Sequence, residues 1–251
     1  MTVWNRLWEA SQSFGGAMWH LLDPESLTPD KAAITAELSA RAGSDAILIG
    51  ASTGSPERFE AVCKSVKAAV DCPVMIFPNG ASQVVSCADA IIFMSLLSGR
   101  NPEYLIGEQV KGAPLVEQYN LEAIPTAYLL IESGGTTTVE TVSETEPIPR
   151  DQVKVVTAHA LAAKFLGMRM VYLEAGSGAP DTVPLEMVQA CVKTGLAVAV
   201  GGGIKTPDQA AAMVKAGAHF VVAGNGYETE PDWALFREFV DAVHSKTPVR
   251  A

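Results

Sequence analysis

Eight short apolar segments recur along the chain, and segments with helical periodicity separate most of them. The apolar segments span residues 17–23, 46–52, 74–79, 90–98, 125–133, 170–176, 197–203 and 220–225. They lack the alternation of apolar and polar positions that marks a strand with one exposed face. Near-continuous apolarity is typical of parallel strands that are covered on both faces. The pattern therefore predicts eight buried parallel strands.

Start and stop signals for helices lie between these strands. Residues 28–43 combine a Thr cap, a Pro in the first turn and a terminal Gly, as helices often do. Residues 55–70 start with Ser-Pro, residues 206–217 repeat the Thr-Pro-Asp start, and residues 235–246 predict a last helix. This alternation predicts an α/β protein with a (β/α)8 TIM barrel, and a doubly wound open sheet is the alternative. The count of eight units favours the barrel.

Two segments depart from the regular alternation. Residues 99–123 predict a helix with an extra turn. Residues 134–150 are polar, acidic and rich in Thr, which predicts an extended polar loop after strand 5. Long loops in compact domains are often lids over a site. Because no linker-like composition divides the chain, we expect a single domain over residues 1–251.

Composition narrows the class of protein. The chain has 251 residues, a net charge of −10 and a pI of about 4.9, which argues against nucleic acid or an anionic membrane as a partner. The four cysteines form no CxxC pair, so we expect free thiols in a reducing compartment. No apolar run reaches the roughly 18 residues of a membrane span, and Trp, Arg and Glu near the N-terminus do not suit a signal peptide. We therefore expect a cytoplasmic protein.

The ends of the last three strands carry small residues. Active sites of TIM barrels lie at the carboxyl ends of the strands, and glycine leaves backbone N–H groups there open to an anion. The residues at these ends are Glu174, Gly176, Ser177, Gly178, Gly201, Gly202, Gly203, Gly224 and Asn225. One glycine pair would fit a tight turn alone, but three consecutive loops predict a phosphate site.

The first two strands end in oxygen-bearing side chains. Asp23 ends strand 1, and Ser52 ends strand 2. A carboxylate and a hydroxyl beside a phosphorylated ligand suit Mg²⁺, although Asp-Pro also caps helices. Tyr128 lies on a strand expected to line the barrel mouth, or else packs in the core. His20 is expected to be a barrel histidine without a catalytic partner.

Six segments together resemble the signature segments of the geranylgeranylglyceryl phosphate synthase family, which are TIM-barrel prenyltransferases. The segments are LLDPESLTP, GASTG, MSLLSGRNPEYLIGEQVKGAPL, YLEAGSGAP, VGGGIKTPDQA and VVAGNGYETEP. The resemblance covers nearly the whole chain. It implies a Mg²⁺-dependent enzyme that joins a polyprenyl diphosphate to a hydroxyl of sn-glycerol-1-phosphate by an ether bond, in the synthesis of archaeal-type phospholipids.

The resemblance also implies roles for particular residues. Asp23 and Ser52 would bind the Mg²⁺ that holds the diphosphate, Glu174 would accept the proton of the acceptor hydroxyl, and Tyr128 would stand beside the allylic carbon. The implied acceptor-binding residues are Tyr172, Leu173, Glu174, Ala175, Gly176, Ser177, Gly178, Gly202, Gly203, Gly224 and Asn225. Apolar residues on the first strands and around Leu105 and Ile106 would line a groove for the prenyl tail, or form plain core.

Departures from the family pattern leave alternatives open. The family's DPDK stands here as Asp23-Pro24-Glu25-Ser26, so a Lys beside the diphosphate is missing. One alternative keeps the chemistry but uses 3-phosphoglycerate and farnesyl diphosphate, as in moenomycin-type antibiotics, with Arg100 or Lys205 facing the extra carboxylate. Another is a phosphosugar isomerase with Asp23 as its second acid or base.

The resemblance further implies a homodimer or larger homo-oligomer, and transient membrane contact during product release. Relatives in the family commonly form dimers or larger assemblies. The aromatic residues Trp4, Trp8 and Trp233 suit either an interface between subunits or simple packing of the chain ends.

Overall fold

Helix α1 (Val3–Phe14) precedes the first strand and packs against the interior of the barrel. The computed structural model describes residues 1–51, 54–224 and 232–246. The Thr2 hydroxyl accepts a hydrogen bond from the Asn5 N–H at the start of the helix, and Gly15 ends it in the left-handed region with φ of 90°. The carboxylate of Glu122 accepts hydrogen bonds from the Val3 and Trp4 N–H groups, which fixes the helix to the barrel.

Eight parallel strands form a closed barrel in chain order within the described residues. The strands are β1 (Ala17–Leu22), β2 (Ala46–Ile49), β3 (Val74–Ile76), β4 (Ala90–Leu96), β5 (Glu122–Leu130), β6 (Met170–Glu174), β7 (Ala197–Gly201) and β8 (Phe220–Ala223). The pairing of Ala17 with Phe220 and of His20 with Ala223 closes the barrel between β1 and β8. The predicted TIM barrel and its eight strands are confirmed. Each strand ends one to three residues before its predicted end, because the predicted segments included the first residues of the following loops.

Helices surround the strands. They are α2 (Pro29–Ala42), α3 (Pro56–Ala69), α4 (Glu108–Gln118), α5 (Thr138–Ser143), α6 (Val153–Phe165), α7 (Leu185–Val192), α8 (Pro207–Lys215) and α9 (Trp233–Val243). The predicted caps are confirmed: the hydroxyls of Thr28, Ser55 and Thr206 accept hydrogen bonds from the first turns of α2, α3 and α8.

The structure departs from regular alternation at two points. Between β3 and β4, a 3-10 helix of three residues (Ala81–Gln83) stands where an α-helix would be expected. The extra turn predicted within residues 99–123 is confirmed as a π-helical turn over Glu103–Gly107, directly before α4.

The prediction of an extended polar loop after strand 5 is wrong in one respect, because this segment contains α5. The hydroxyl of Thr137 caps α5 by accepting the Glu140 N–H. A helix of six residues is too short to show a hydrophobic period, so composition alone suggested a loop.

Side chains on alternate positions of each strand pack on opposite sides of the barrel wall. The interior set includes Trp19, Leu48, Met75, Tyr172 and Phe220, and the other positions pack between the strands and the helices. His20 belongs to this outer layer. It is fully buried against Phe236, with ring centroids 4.8 Å apart. Burial lowers the His20 pKa to about 3, so the ring is neutral and lies outside the barrel interior.

The aromatic residues near the chain ends pack within the subunit. Trp4 stacks on Trp8 and meets Phe220 edge-on, and Trp233 meets Phe236 edge-on. This placement fits the packing alternative for these residues. Across the three described ranges, no helix has both the length and the apolar character needed to cross a bilayer.

Candidate active site

A cavity of about 820 Å³ opens at the carboxyl ends of the barrel strands. Its lining includes residues from the loops that follow β1, β2, β3, β6, β7 and β8. Three carboxylates line it, from Asp23, Glu108 and Glu174, and Lys205 supplies the one Lys or Arg side chain found there among the described residues. The described lining therefore carries three acidic side chains and one basic side chain, that of Lys205.

Glu174 lies at the centre of this cavity, at the last position of β6. Its Oε1 accepts a hydrogen bond of 2.6 Å from the Gly176 N–H, and the hydroxyls of Tyr128 and Tyr172 also interact with the carboxylate. Burial raises the Glu174 pKa to about 7, and the Gly176 N–H together with the two tyrosine hydroxyls keeps it from rising further. A carboxylate with this pKa is suited to accept a proton near neutral pH.

Three aromatic rings pack beside Glu174. Tyr128 stacks on Tyr172 with centroids 5.4 Å apart, and Phe77 lies 5.2 Å from Tyr172 and 6.0 Å from Tyr128. Burial, followed by the charge of Glu174, raises the pKa of both tyrosines well above the ordinary value. Both hydroxyls therefore stay protonated and act as hydrogen-bond donors, while the ring faces offer negative π density to a cation.

Glycines shape the edge of the cavity that is formed by the loop after β7. Gly202 and Gly203 have successive left-handed conformations, with φ of 80° and 68°. A Cβ on Gly202 would overlap with Glu174 Oε1 and the backbone of Gly176, and a Cβ on Gly203 would overlap with the backbone of Asp181. Neither the Gly202 nor the Gly203 N–H donates to another described residue. Consecutive open N–H groups of this kind form an anion-binding concavity.

Asp23 lies at the carboxyl end of β1 and lines the cavity. Its Oδ1 accepts a 2.8 Å hydrogen bond from the Glu25 N–H. Among the described residues, no group of three or more His, Cys, Asp or Glu side chains could hold a metal ion by itself. Mg²⁺ does not require such a group, because one or two protein carboxylates suffice when substrate phosphates complete its coordination shell. The donor set at this end of the cavity therefore fits Mg²⁺.

An apolar arm of the cavity runs from Phe77 along β4 toward α4 and α5. Its apolar lining includes Val84, Ile91, Phe93, Met94, Leu96, Val139 and Val142. The Tyr104 hydroxyl donates to the Val142 carbonyl at 3.3 Å and so joins the π-helical turn to α5. Leu105 and Ile106, expected here, do not line the arm, and Ile106 is 58% exposed. On the π-helical turn their neighbour Tyr104 faces the cavity instead.

The structure brings most of the predicted site residues together. Those that line the cavity are Asp23, Tyr128, Tyr172, Glu174, Ser177, Gly178, Gly202, Gly203 and Gly224. The side chains of Leu173 and Ala175 pack instead in the layer between strands and helices, because they alternate with Tyr172 and Glu174. Gly176 donates its N–H to Glu174, and a Cβ there would overlap with Thr137. Ser52 and Asn225 lie outside the described residues.

Several lining residues were missed by sequence reasoning. Phe77 follows β3 directly, so its position at a strand end was an available signal. Thr138, Val139 and Val142 belong to α5, which the sequence did not reveal. Two cations were considered as partners of an acceptor carboxylate. Lys205 lines the cavity, whereas Arg100 does not and instead donates a hydrogen bond from Nη1 to the Gly99 carbonyl at 2.7 Å.

The chain is similar to known proteins over most of its length. The sequence profile that describes the PcrB family matches residues 17–243. A geranylgeranylglyceryl phosphate synthase from Methanopyrus kandleri is 47% identical over 223 residues, which cover 89% of this chain and 92% of that protein. A second one, from Methanothrix thermoacetophila, is 41% identical over 243 residues, covering 95% and 94% of the two chains.

A solved structure has the same fold over nearly the whole length. It is the (S)-3-O-geranylgeranylglyceryl phosphate synthase of Thermoplasma acidophilum in complex with its substrate sn-glycerol-1-phosphate. The TM-score is 0.92 at 36% sequence identity, with 98% of this chain and 100% of that chain covered.

Proposed function

The chain belongs to the PcrB family and is a prenyltransferase, and from this premise we propose that it joins a polyprenyl diphosphate to a hydroxyl of sn-glycerol-1-phosphate. The observation that carries the proposal is the position of Glu174. This buried carboxylate lies next to both the open glycine N–H groups and a cluster of aromatic rings. An alcohol held at one side and an allylic carbon held at the other would meet beside it.

The acceptor phosphate would bind at the Gly202–Gly203 edge, with Lys205 nearby. Phosphate is bound well by consecutive N–H groups and by a lysine cation. Ser177 and Gly178, from the loop after β6, line the same cavity. The glycerol hydroxyl would then reach Glu174, which accepts hydrogen bonds and has a pKa of about 7. The relative that binds sn-glycerol-1-phosphate supports this choice of acceptor.

The donor would place its tail in the apolar arm and its diphosphate at the end where Asp23 lies. We propose that Asp23 and Ser52 hold Mg²⁺ together with the diphosphate oxygens. When bound, Mg²⁺ would supply neutralising charge for the diphosphate leaving group. Geranylgeranyl diphosphate is the donor we favour, because the relatives named above are geranylgeranylglyceryl phosphate synthases.

The proposed reaction forms one bond and breaks one. The carbon–oxygen bond between the allylic carbon and the diphosphate breaks, and the leaving group takes the electron pair. The acceptor hydroxyl oxygen bonds to that carbon, and its proton passes to Glu174. The faces of Tyr128 and Tyr172 would stabilise the positive charge that develops on the allylic carbon. Because the protein holds both reactants in place, orientation lowers the barrier.

The alternatives from the sequence have different standing. Family membership supports a transferase and not a phosphosugar isomerase. The 3-phosphoglycerate alternative requires an extra cation for the substrate carboxylate. Lys205 is the one candidate in the described lining, and it lies on the loop that would hold the phosphate. A substrate carboxylate near Glu174 and Asp23 would be repelled, so we favour sn-glycerol-1-phosphate, whose glycerol part is uncharged.

A product assay tests this proposal. The protein is incubated with Mg²⁺ and with radiolabelled farnesyl or geranylgeranyl diphosphate, and sn-glycerol-1-phosphate or 3-phosphoglycerate is offered separately. We expect a butanol-extractable ether product with sn-glycerol-1-phosphate that disappears when EDTA is added. Product with 3-phosphoglycerate alone would contradict the proposed acceptor, and full activity in EDTA would contradict the proposed metal.

Two broader expectations accompany the proposal. We expect a homo-oligomer, which analytical ultracentrifugation would reveal as a mass at least twice that of the 26.4 kDa chain. We also expect transient membrane contact when the lipid product leaves, because the tail must pass from the apolar arm to a bilayer.

A further inference from the structure

The loop between β1 and α2 is held by a side chain from another element. Arg58, in the first turn of α3, donates from Nε to the Pro24 carbonyl at 2.6 Å. Its Nη2 donates to the carbonyls of Glu25 at 3.0 Å and Leu27 at 3.4 Å. The Arg58 N–H is itself fixed by the Ser55 hydroxyl at the start of α3. A guanidinium with several donors in a rigid plane can bridge three carbonyls in this way.

The far sides of the same peptide groups face Asp23. A trans peptide group is planar, with its C=O and N–H pointing in opposite directions. The Pro24 carbonyl shares a peptide group with the Glu25 N–H, which donates to Asp23 Oδ1 at 2.8 Å. The Glu25 carbonyl shares one with the Ser26 N–H, which donates to the Asp23 carbonyl at 3.1 Å. A cation on one side of these groups therefore orients and polarises the donors that hold Asp23 on the other.

We infer that Arg58 is a positioning residue, which acts through these two peptide groups to set the orientation of the Asp23 carboxylate toward the diphosphate and its metal. The inference rests on the function proposed above, in which Asp23 binds the metal. Arg58 is not part of the described cavity lining, so it acts through the loop without touching either substrate. Arg58 also joins the β1–α2 loop to the start of α3, which lies shortly after Ser52 in the chain.

Binding measurements separate this role from general support of the fold. Wild type, Arg58→Gln and Arg58→Lys are titrated by calorimetry with Mg²⁺ plus inorganic pyrophosphate, and separately with sn-glycerol-1-phosphate. Loss of the residue that orients a metal ligand typically costs at least about tenfold in metal affinity. We expect roughly that loss for Mg²⁺–pyrophosphate in Arg58→Gln, a smaller loss in Arg58→Lys, and unchanged affinity for sn-glycerol-1-phosphate in both.

Arg41→Gln is the matched control, since Arg41 is an exposed arginine on α2 whose contact is a 3.7 Å ion pair with Glu37. We expect it to bind both ligands as wild type does. If Arg58→Gln does not fold, as judged by its melting transition, Arg58→Lys decides, because one ammonium cannot span the three carbonyls.

Each outcome has a defined meaning. If wild type binds Mg²⁺–pyrophosphate and both Arg58 variants bind it equally well, the inference is overturned and the proposed function stands. Equal weakening of both ligands would also overturn it, since that result marks a structural role. If wild type itself fails to bind Mg²⁺–pyrophosphate, the proposed role of Asp23 fails, and the inference fails with it.

Discussion

The Tyr172 hydroxyl faces the carboxylate of Glu174, two positions further along β6, and lowers the pKa of that carboxyl. Both side chains belong to the same face of the strand, inside the barrel. Burial favours the protonated form of Glu174, while the tyrosine hydroxyls and the Gly176 N–H favour the ionised form. The balance places the carboxyl where it can gain or lose a proton near pH 7.

The rate of ether formation should depend on the ionisation of Glu174. We expect kcat/KM for the acceptor to rise with pH and to level off above about pH 7, because the base must be deprotonated. Glu174→Gln should lower kcat roughly 100-fold or more and lose this rise. Steady-state kinetics from pH 5.5 to 8.5 provides the test. A Gln variant with the wild-type pH profile would show that another group is the base.

Stability should respond to the same group in a defined direction. The folded-state pKa of about 7 lies above the ordinary value of 4.5, so the folded protein binds the proton more tightly than the unfolded chain. The contribution is fully present below pH 4.5 and is lost as pH rises through about 7. Relative to wild type, Glu174→Gln should thus gain up to about 3 kcal/mol in unfolding free energy between pH 5 and 8. Urea denaturation would measure this difference, and a constant difference across that range would refute the shift.

The glycine edge can be tested with two alanine substitutions that share the same backbone strain. Gly202 and Gly167 both have φ of 80°, but a Cβ meets Glu174 and Gly176 at the first position and nothing within 4 Å at the second. Each variant should lose about 1 kcal/mol of stability from the left-handed conformation, and Gly202→Ala should lose more because its Cβ would overlap with the Gly176 backbone.

Only Gly202→Ala should also lose activity, by roughly 100-fold, because displacement of the base and the anion site disturbs the reacting geometry. Melting temperatures and turnover rates would be measured side by side. Equal activity in the two variants would show that the Gly202–Gly203 edge takes no part in substrate binding or catalysis.

Lys205 should affect the acceptor and not the donor. A lysine hydrogen bond to phosphate is worth at least about 1.4 kcal/mol, or tenfold in affinity. We therefore expect Lys205→Met to raise KM for sn-glycerol-1-phosphate roughly tenfold and to leave KM for the prenyl diphosphate unchanged. Lys154→Met, at an exposed position of α6, is the control. A selective rise in the donor KM would instead place Lys205 at the diphosphate.

The barrel was predictable from sequence because its signals are local. Each strand is a continuous apolar segment, and helices such as α2 and α8 carry their own caps. The segment around α5 was harder, since its one full turn depends on Thr137 and on apolar contacts made only in the folded chain. Strand ends were overestimated because no local signal in the sequence marks where a strand passes into the loop that carries the site residues.

The candidate site was predictable in composition but not in arrangement. Loop glycines and strand-end carboxylates are visible in the sequence. The strand register that pairs Tyr128 with Tyr172 cannot be read from the sequence. This register brings the two rings together beside Glu174. The pKa of Glu174 likewise depends on burial within that cluster. The contact of Arg58 with the β1–α2 loop joins positions more than 30 residues apart, and no local pattern indicates it.

The most direct measurement is a crystal structure of the protein soaked with sn-glycerol-1-phosphate. The account predicts the phosphate within hydrogen-bonding distance of the Gly202 and Gly203 N–H groups, and a glycerol hydroxyl within hydrogen-bonding distance of the Glu174 carboxylate. A phosphate bound elsewhere, or a glycerol with every hydroxyl turned away from Glu174, would contradict it.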